Sequence, residues 1–172
     1  MNLHDKAQRI RALVLDIDGV LTDGRIGYVG ETEVKAFHVR DGHGLKLARR
    51  AGLKVGALSG RASAANRRRA AELEFDFLYE GCKDKAAAFV GLLAEQGLRP
   101  EECLVIGDDL VDLPVLRAAG IAVAVADAIP ELDAVCDFRT TLPGGAGAVR
   151  EAIEWLLKET GRWEGLVQRY YA

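Results

Sequence analysis

The chain has 172 residues, 49% of them hydrophobic and 28% charged, a mix that suits one globular domain with a full core. A formal net charge of -3 and an aromatic content of 6% give neither a dominant basic field nor much base-stacking capacity, so nucleic acid is not an expected partner. The three cysteines, Cys82, Cys103 and Cys136, are far apart and lack metal-ligand spacing. No signal peptide is evident and no apolar run approaches the roughly 18 residues of a membrane span, so a cytoplasmic protein with no membrane partner is expected.

In chain order, short apolar runs alternate with amphipathic stretches. Strands are predicted at 12–16 (ALVLD), 53–59 (LKVGALS), 75–79 (FDFLY), 103–108 (CLVIGD) and 121–127 (IAVAVAD). Helices are predicted near 42–52, 62–73, 83–97, 111–119 and 146–159, with Pro114 in a first turn, where proline is tolerated. Continuous apolar strands alternating with helices specify an α/β fold of three layers, a parallel sheet covered on both faces. One segment breaks the rhythm. Residues 24–40 read as a β-hairpin turning at Gly30, placed where the first crossover helix should begin. The run Arg67-Arg68-Arg69 reads as a solvated helix face.

The first strand ends in two carboxylates two residues apart, Asp16 and Asp18, which on extended chain point the same way. Unpaired, they are costly unless the strand end is simply solvated or something cationic lies between them. Ser59 closes the second run and Asp108 the fourth, while Lys83 and Lys85 follow the third. All are carboxyl ends, which in a parallel sheet converge on one edge, where such sheets bind ligands. Asp16 and Asp108 suit a hard divalent cation with oxygen ligands. A carboxylate can also attack phosphorus, a serine hydroxyl can bind phosphoryl oxygens, a lysine can offset their charge, and a second carboxylate can move the proton. Ser59 also reads as a helix N-cap, compatible with anion binding, and Asp112 more readily as a cap than as a ligand. His38 and His43 lack a third zinc ligand.

The ordered set DIDGVLTDG, LSGR, a lysine and GDDLVD resembles the haloacid dehalogenase superfamily of phosphohydrolases. The resemblance implies a Rossmann-like core and Mg2+ as cofactor. It makes Asp16 the nucleophile and Asp18 the acid/base, whose backbone carbonyl also meets the metal. Ser59 becomes the phosphate ligand, Lys85 rather than Lys83 the stabilising lysine, and Asp108 a metal ligand supported by Asp109 and Asp112. Signalling receivers share the ingredients but place the acidic pair and the phosphorylated aspartate on different strands, whereas here both acids share one strand. Asp16 and Ser59 are 43 positions apart and Ser59 and Lys85 are 26 apart, too little for a cap domain of roughly 50 residues in either gap.

The capless spacing, AFHVRDGHG, SGRAS and GGAGAVRE together are similar to the 3-deoxy-D-manno-octulosonate 8-phosphate phosphatases, across about residues 11–160. That resemblance implies a cytoplasmic homotetramer of lipopolysaccharide biosynthesis in which neighbours help to close each site. Its substrate is a phosphorylated keto-sugar acid, touched by Asp18, His38, Val39, Arg40, Asp41, Gly42, Lys46, Arg61, Arg69 and Lys85. Relatives often carry Asn where His38 stands. Related phosphatases of nine-carbon keto-sugar acid 9-phosphates tend to an acidic residue after the Ser-Gly pair, where this chain has Arg61. The expected organisation is one phosphatase domain over 1–172, with the hairpin as a flap over 24–40 and a C-terminal tail over 161–172 that either covers a site or frays.

Overall fold

A computed structural model describes residues 2–171. A short helix α1 (Leu3–Ala7) leads into β1 (Ala12–Leu15), followed by the hairpin β2 (Gly27–Val29) and β3 (Thr32–Val34). Then come α2 (Val39–Arg50), β4 (Lys54–Leu58), α3 (Ala64–Glu72), β5 (Phe77–Tyr79), α4 (Lys85–Gln96) and β6 (Cys103–Gly107). The chain ends through α5 (Leu113–Ala118), β7 (Ile121–Ala124), β8 (Phe138–Arg139), α6 (Ala148–Glu159) and α7 (Trp163–Val167).

Six strands form one parallel sheet in the order β5-β4-β1-β6-β7-β8. The chain runs outward from β1 through β4 to β5, then crosses over to build the other side from β6. The reversal places the sheet's ligand-binding crevice at the carboxyl ends of β1 and its two neighbours.

Alternation along β1 sorts its side chains between two cores. Leu13 and Leu15 face the layer of α2 and α6, beside Leu45, Ala152, Ile153 and Leu156; Ala12 and Val14 face α4 and α5, beside Phe89, Leu92, Val115 and Leu116. Helix α6 covers the sheet because Val149, Ala152, Ile153, Leu156 and Leu157 recur at helical spacing on one buried stripe. Cys103 is fully buried in the second core.

Several expectations are corrected in detail. The hairpin strands are only three residues each, and α2 begins at Val39 rather than 42, so HVRDG opens a helix. The cap of α3 is Ser63, whose side chain accepts from Asn66 N–H, and not Ser59, which lies four residues earlier. The strand β8 and the helices α1 and α7 were not anticipated. Arg69 also departs from the solvated face expected of its run: it turns inward over the Phe37 ring at 5.5 Å, while Arg67 and Arg68 stay exposed.

Candidate active site

The loop after β1 is shaped by its own sequence. Asp16 N–H still bonds to the Ile106 carbonyl of β6, so its side chain is delivered at the strand end. Thr22, buried, accepts from the N–H groups of Gly19 and Gly24 and donates to the Ile17 carbonyl. Gly19 adopts φ +95°, and a Cβ there would lie 2.0 Å from Asp108 Oδ2. Glycine therefore lets the Asp108 carboxylate lie directly against the loop. The GGAG segment closes from the other side: a Cβ on Gly144 would sit 1.7 Å from the Gly19 carbonyl oxygen. Gly145 N–H bonds to Val20 O, and Gly144 N–H to Asp127.

Oxygens of Asp16, Asp108 and Asp112 lie within 4.8 Å of one another. Two full negative charges at that distance repel by about 3 kcal/mol at an effective dielectric constant near 20. Lys85 offsets part of this: its Nζ is 2.7 Å from Asp16 Oδ1 and donates to Asp112 Oδ1 at 2.7 Å. Lys83 is exposed and takes no part. Burial would lower the Lys85 pKa, but the charges of Asp16 and Asp112 outweigh it and raise the pKa above the usual lysine value. Burial, then the Asp112 charge, pushes Asp16 up to about 6; burial, then Asp16 and Asp112, pushes Asp108 up to about 8. One lysine is too little positive charge for three carboxylates. Among the described residues, Asp108 Oδ1 is buried without a hydrogen-bond partner. This oxygen-only, electron-rich cluster fits a divalent cation of the magnesium type.

Asp112 stands at the N-cap position of α5, as expected, and its side chain also closes a capping box on Asp109 N–H of the preceding 3-10 turn. Its carboxylate makes no bond to its own helix α5 and instead turns inward, accepting from the N–H groups of Asp108 and Asp109. Asp109 is the cap of the preceding 3-10 turn, bonding Leu110 N–H, and is exposed. The Asp18 side chain is not in the acidic cluster; its Oδ1 pairs with Lys35 of the flap. Ser59 is fully buried, and its Oγ accepts from Arg61 N–H, which leaves its hydroxyl proton free to donate.

Asp16, Asp18, Arg61, Lys85, Asp108 and Asp109 line one open pocket of about 170 Å³. The remaining expected sugar contacts do not reach it within this chain. Arg69 lines a separate groove beside the flap, Arg40 a hollow beside α6, and Lys46, exposed, a third depression. Asp41 is 1% exposed and bonds across to α6, its Oδ1 accepting from Arg150 N–H at 2.7 Å. It is thus a helix cap supplied by a neighbouring helix. The half-buried His38 stands 3.9 Å from it, and Val39 is exposed. Gly42 is buried, with the Arg69 guanidinium where a Cβ would project. Asp41→Ala is expected to cost about 1–2 kcal/mol of stability, with Asp41→Asn largely sparing it, as read from denaturant midpoints.

The C-terminal tail lies against its own chain. The Tyr170 hydroxyl contacts His43 Nε2 and Arg50 Nη1, each at 3.0 Å, and Trp163 stacks under Arg150 and Lys158. His43 is structural, wedged between Tyr170 and Arg150.

A capless doubly wound sheet carrying DxD at one strand end, a buried lysine and an acidic pair at another is the layout of the haloacid dehalogenase-like hydrolases, and that family matches residues 38–120. The chain is 44% identical to the 3-deoxy-D-manno-octulosonate 8-phosphate phosphatase KdsC of Escherichia coli K12 over 159 residues, 91% of this chain and 84% of that one. It superposes with a TM-score of 0.94 on the Moraxella catarrhalis 3-deoxy-D-manno-octulosonate 8-phosphate phosphatase, solved with magnesium, phosphate and KDO. That pair is 40% identical, with 97% of each chain covered. The cobalt-bound enzyme from Haemophilus influenzae gives 0.92 at 38% identity, covering 97% of this chain and 99% of that one. With this identity over nearly its whole length, the chain belongs to the 3-deoxy-D-manno-octulosonate 8-phosphate phosphatase family of haloacid dehalogenase-like hydrolases.

Metal binding to this cluster would displace protons, because Asp16 and Asp108 would hold a cation as carboxylates. With their metal-free values near 6 and 8, magnesium affinity is expected to rise roughly ten- to hundredfold between pH 6 and pH 8. Calorimetry in buffers of different ionisation enthalpy is expected to show net proton release near pH 7. An affinity that stays flat over this range would contradict the shifts.

Proposed function

We propose that this chain hydrolyses 3-deoxy-D-manno-octulosonate 8-phosphate to KDO and inorganic phosphate, as a cytoplasmic, Mg2+-dependent step of lipopolysaccharide biosynthesis carried by one domain over 1–172. The observation that carries the chemistry is the buried Asp16 held by Lys85 inside an acidic cluster that calls for a cation. Lys85 engages Asp16 Oδ1 and leaves Oδ2 for attack on phosphorus. As the Oδ2–P bond forms, the bond from phosphorus to the sugar oxygen breaks, and Asp18 gives that oxygen its proton. Asp18 then takes a proton from water, which attacks the phosphorus of the aspartyl phosphate and frees Asp16 and phosphate. Ser59 donates to a phosphoryl oxygen, and Lys85 offsets charge on the transferring group. Asp16, Asp108 and the Asp18 backbone carbonyl, with Asp112 and Asp109 in support, would hold magnesium, which would neutralise charge on nucleophile and phosphate.

A pocket of about 170 Å³ is smaller than the roughly 300–1,000 Å³ of typical small-molecule sites, so one chain accommodates the phosphoryl end and little more. The flap meanwhile exposes Ile26, Tyr28, Val29 and Val34, an apolar surface suited to a neighbouring subunit. Both support a homotetramer in which neighbours complete the sugar site with residues such as Arg40, Lys46 and Arg69. Arg61, beside Asp16 in the pocket, supplies a guanidinium for the sugar carboxylate.

The test is steady-state phosphate release on the eight-carbon 8-phosphate, a nine-carbon keto-acid 9-phosphate and several hexose phosphates, with magnesium or chelator. The expected result is metal-dependent turnover with kcat/KM highest on the eight-carbon substrate. Preference for the nine-carbon ester would retain the chemistry and replace the substrate.

A further inference from the structure

The flap carries an inverted pattern of polarity. Val34 is 43% exposed, whereas the side chain of its neighbour Lys35 is fully covered. Lysine on a solvent-facing hairpin normally keeps its ammonium in water. Here Lys35 Nζ is turned in to two ion pairs, 2.6 Å from Asp18 Oδ1 and 3.5 Å from Glu33 Oε1. Glu33 Oε2 in turn meets Arg61 Nη2 at 2.6 Å. Glu33 and Lys35, two apart on extended chain, share a face, and the result is a row of alternating charges from Arg61 through Glu33 and Lys35 to Asp18.

We propose that Lys35 is a positioning residue for the phosphatase reaction, gripping Asp18 by Oδ1 so that Oδ2 is presented to the leaving oxygen and then to water. This rests on the assignment of Asp18 as the acid/base. The arrangement repeats that at the nucleophile, where Lys85 holds Asp16 by Oδ1. It also ties the flap to the reacting centre. A covered lysine is costly unless paired, and the pairing here is with the one carboxylate of the DxD motif that lies outside the acidic cluster.

Leaving-group dependence isolates this role. An alkyl phosphate such as the 8-phosphate needs a proton on its departing oxygen; p-nitrophenyl phosphate does not. Lys35→Met is expected to slow sugar release from the 8-phosphate by about 10- to 100-fold, with KM little changed. The nitrophenolate burst from p-nitrophenyl phosphate is expected to keep its wild-type rate, and Lys35→Arg is expected to recover most of the loss. An equal fall on both substrates, or no fall on either, overturns the proposal. Asp18→Asn measured in parallel separates the two readings. If it lacks leaving-group dependence, the role of Asp18 fails and this inference with it. If it shows the dependence and Lys35→Met does not, only the Lys35 proposal fails. Should Lys35→Met not fold by circular dichroism, Lys35→Gln carries the same test.

Discussion

Asp16→Asn is expected to lower phosphate release by about 10⁴-fold or more while leaving the fold intact. The substitution is nearly isosteric, so the buried Asp16 position stays packed, but an amide oxygen is a poor nucleophile for phosphorus. Its effect on stability runs the other way. Asp16 and Asp108 have raised native values, near 6 and near 8, so without metal the native state holds more protons than the unfolded chain between about pH 4 and pH 8. Stability of the metal-free protein therefore falls as pH rises through that window. Removing the Asp16 charge relieves the repulsion, and Asp16→Asn is expected to melt above the wild type at pH 8 without magnesium. The two proteins are expected to converge near pH 4, where the native carboxyls of Asp16 and Asp108 are protonated. Thermal scans at both pH values, with and without magnesium, check this.

Lys85→Met carries the second large effect and the opposite sign for stability. Lys85 is 5% exposed and bonds two carboxylates at 2.7 Å each. Removing one partner of a buried charge cluster costs about 3–5 kcal/mol, because the charges left behind are uncompensated. The loss is expected to be larger at pH 8 than at pH 5, since at the lower pH Asp16 and Asp108 relieve themselves by taking up protons. Activity is expected to fall by at least about 10³-fold through loss of both the grip on Asp16 and the positive charge facing the phosphoryl group. Urea denaturation at the two pH values separates the stability effect from the catalytic one. A stability loss independent of pH would mean that packing of the lysine stem, rather than its charge, dominates.

The parallel sheet and its catalytic edge were legible because both follow from local pattern. Apolar runs of strand length mark buried strands, and polar residues that close them must lie at the same sheet edge. Asp16, Asp18, Ser59 and Asp108 fall in this class. Features set by long-range contacts were not legible. Asp112 looks like a helix cap because it precedes a proline-bearing turn, and only the fold reveals that its carboxylate reaches back to Asp108 N–H and across to Lys85. Ser59 and Ser63 both precede helix-forming residues; the choice between them depends on how many residues leave the sheet before α3 begins. The strand β8 is two residues long, and its Arg139 bonds the carbonyls of Val125, Ala128 and Ile129, an attachment without periodicity to read. Asp41 appears in HVRDG as a polar residue open to substrate, yet it is buried as a cap on a helix that begins more than a hundred residues later. Lys35 had one available signal, its spacing of two from Glu33 on a strand. The GGAG motif, weak as sequence, is explained by the approach of Gly144 to the Gly19 backbone.

The most direct test follows the phosphoryl group itself. Asp18→Asn with magnesium and p-nitrophenyl phosphate, quenched in acid within the first turnover, is expected to accumulate one phosphoryl group per chain, because the ester transfers without an acid and the acyl phosphate then lacks its base. Mass spectrometry of the peptide spanning 12–25 is expected to place that group on Asp16, and chelation of magnesium is expected to abolish it. A phosphoryl group found on another residue, or full turnover of the variant with no covalent species, would contradict the assignment of Asp16 as nucleophile and Asp18 as its acid/base.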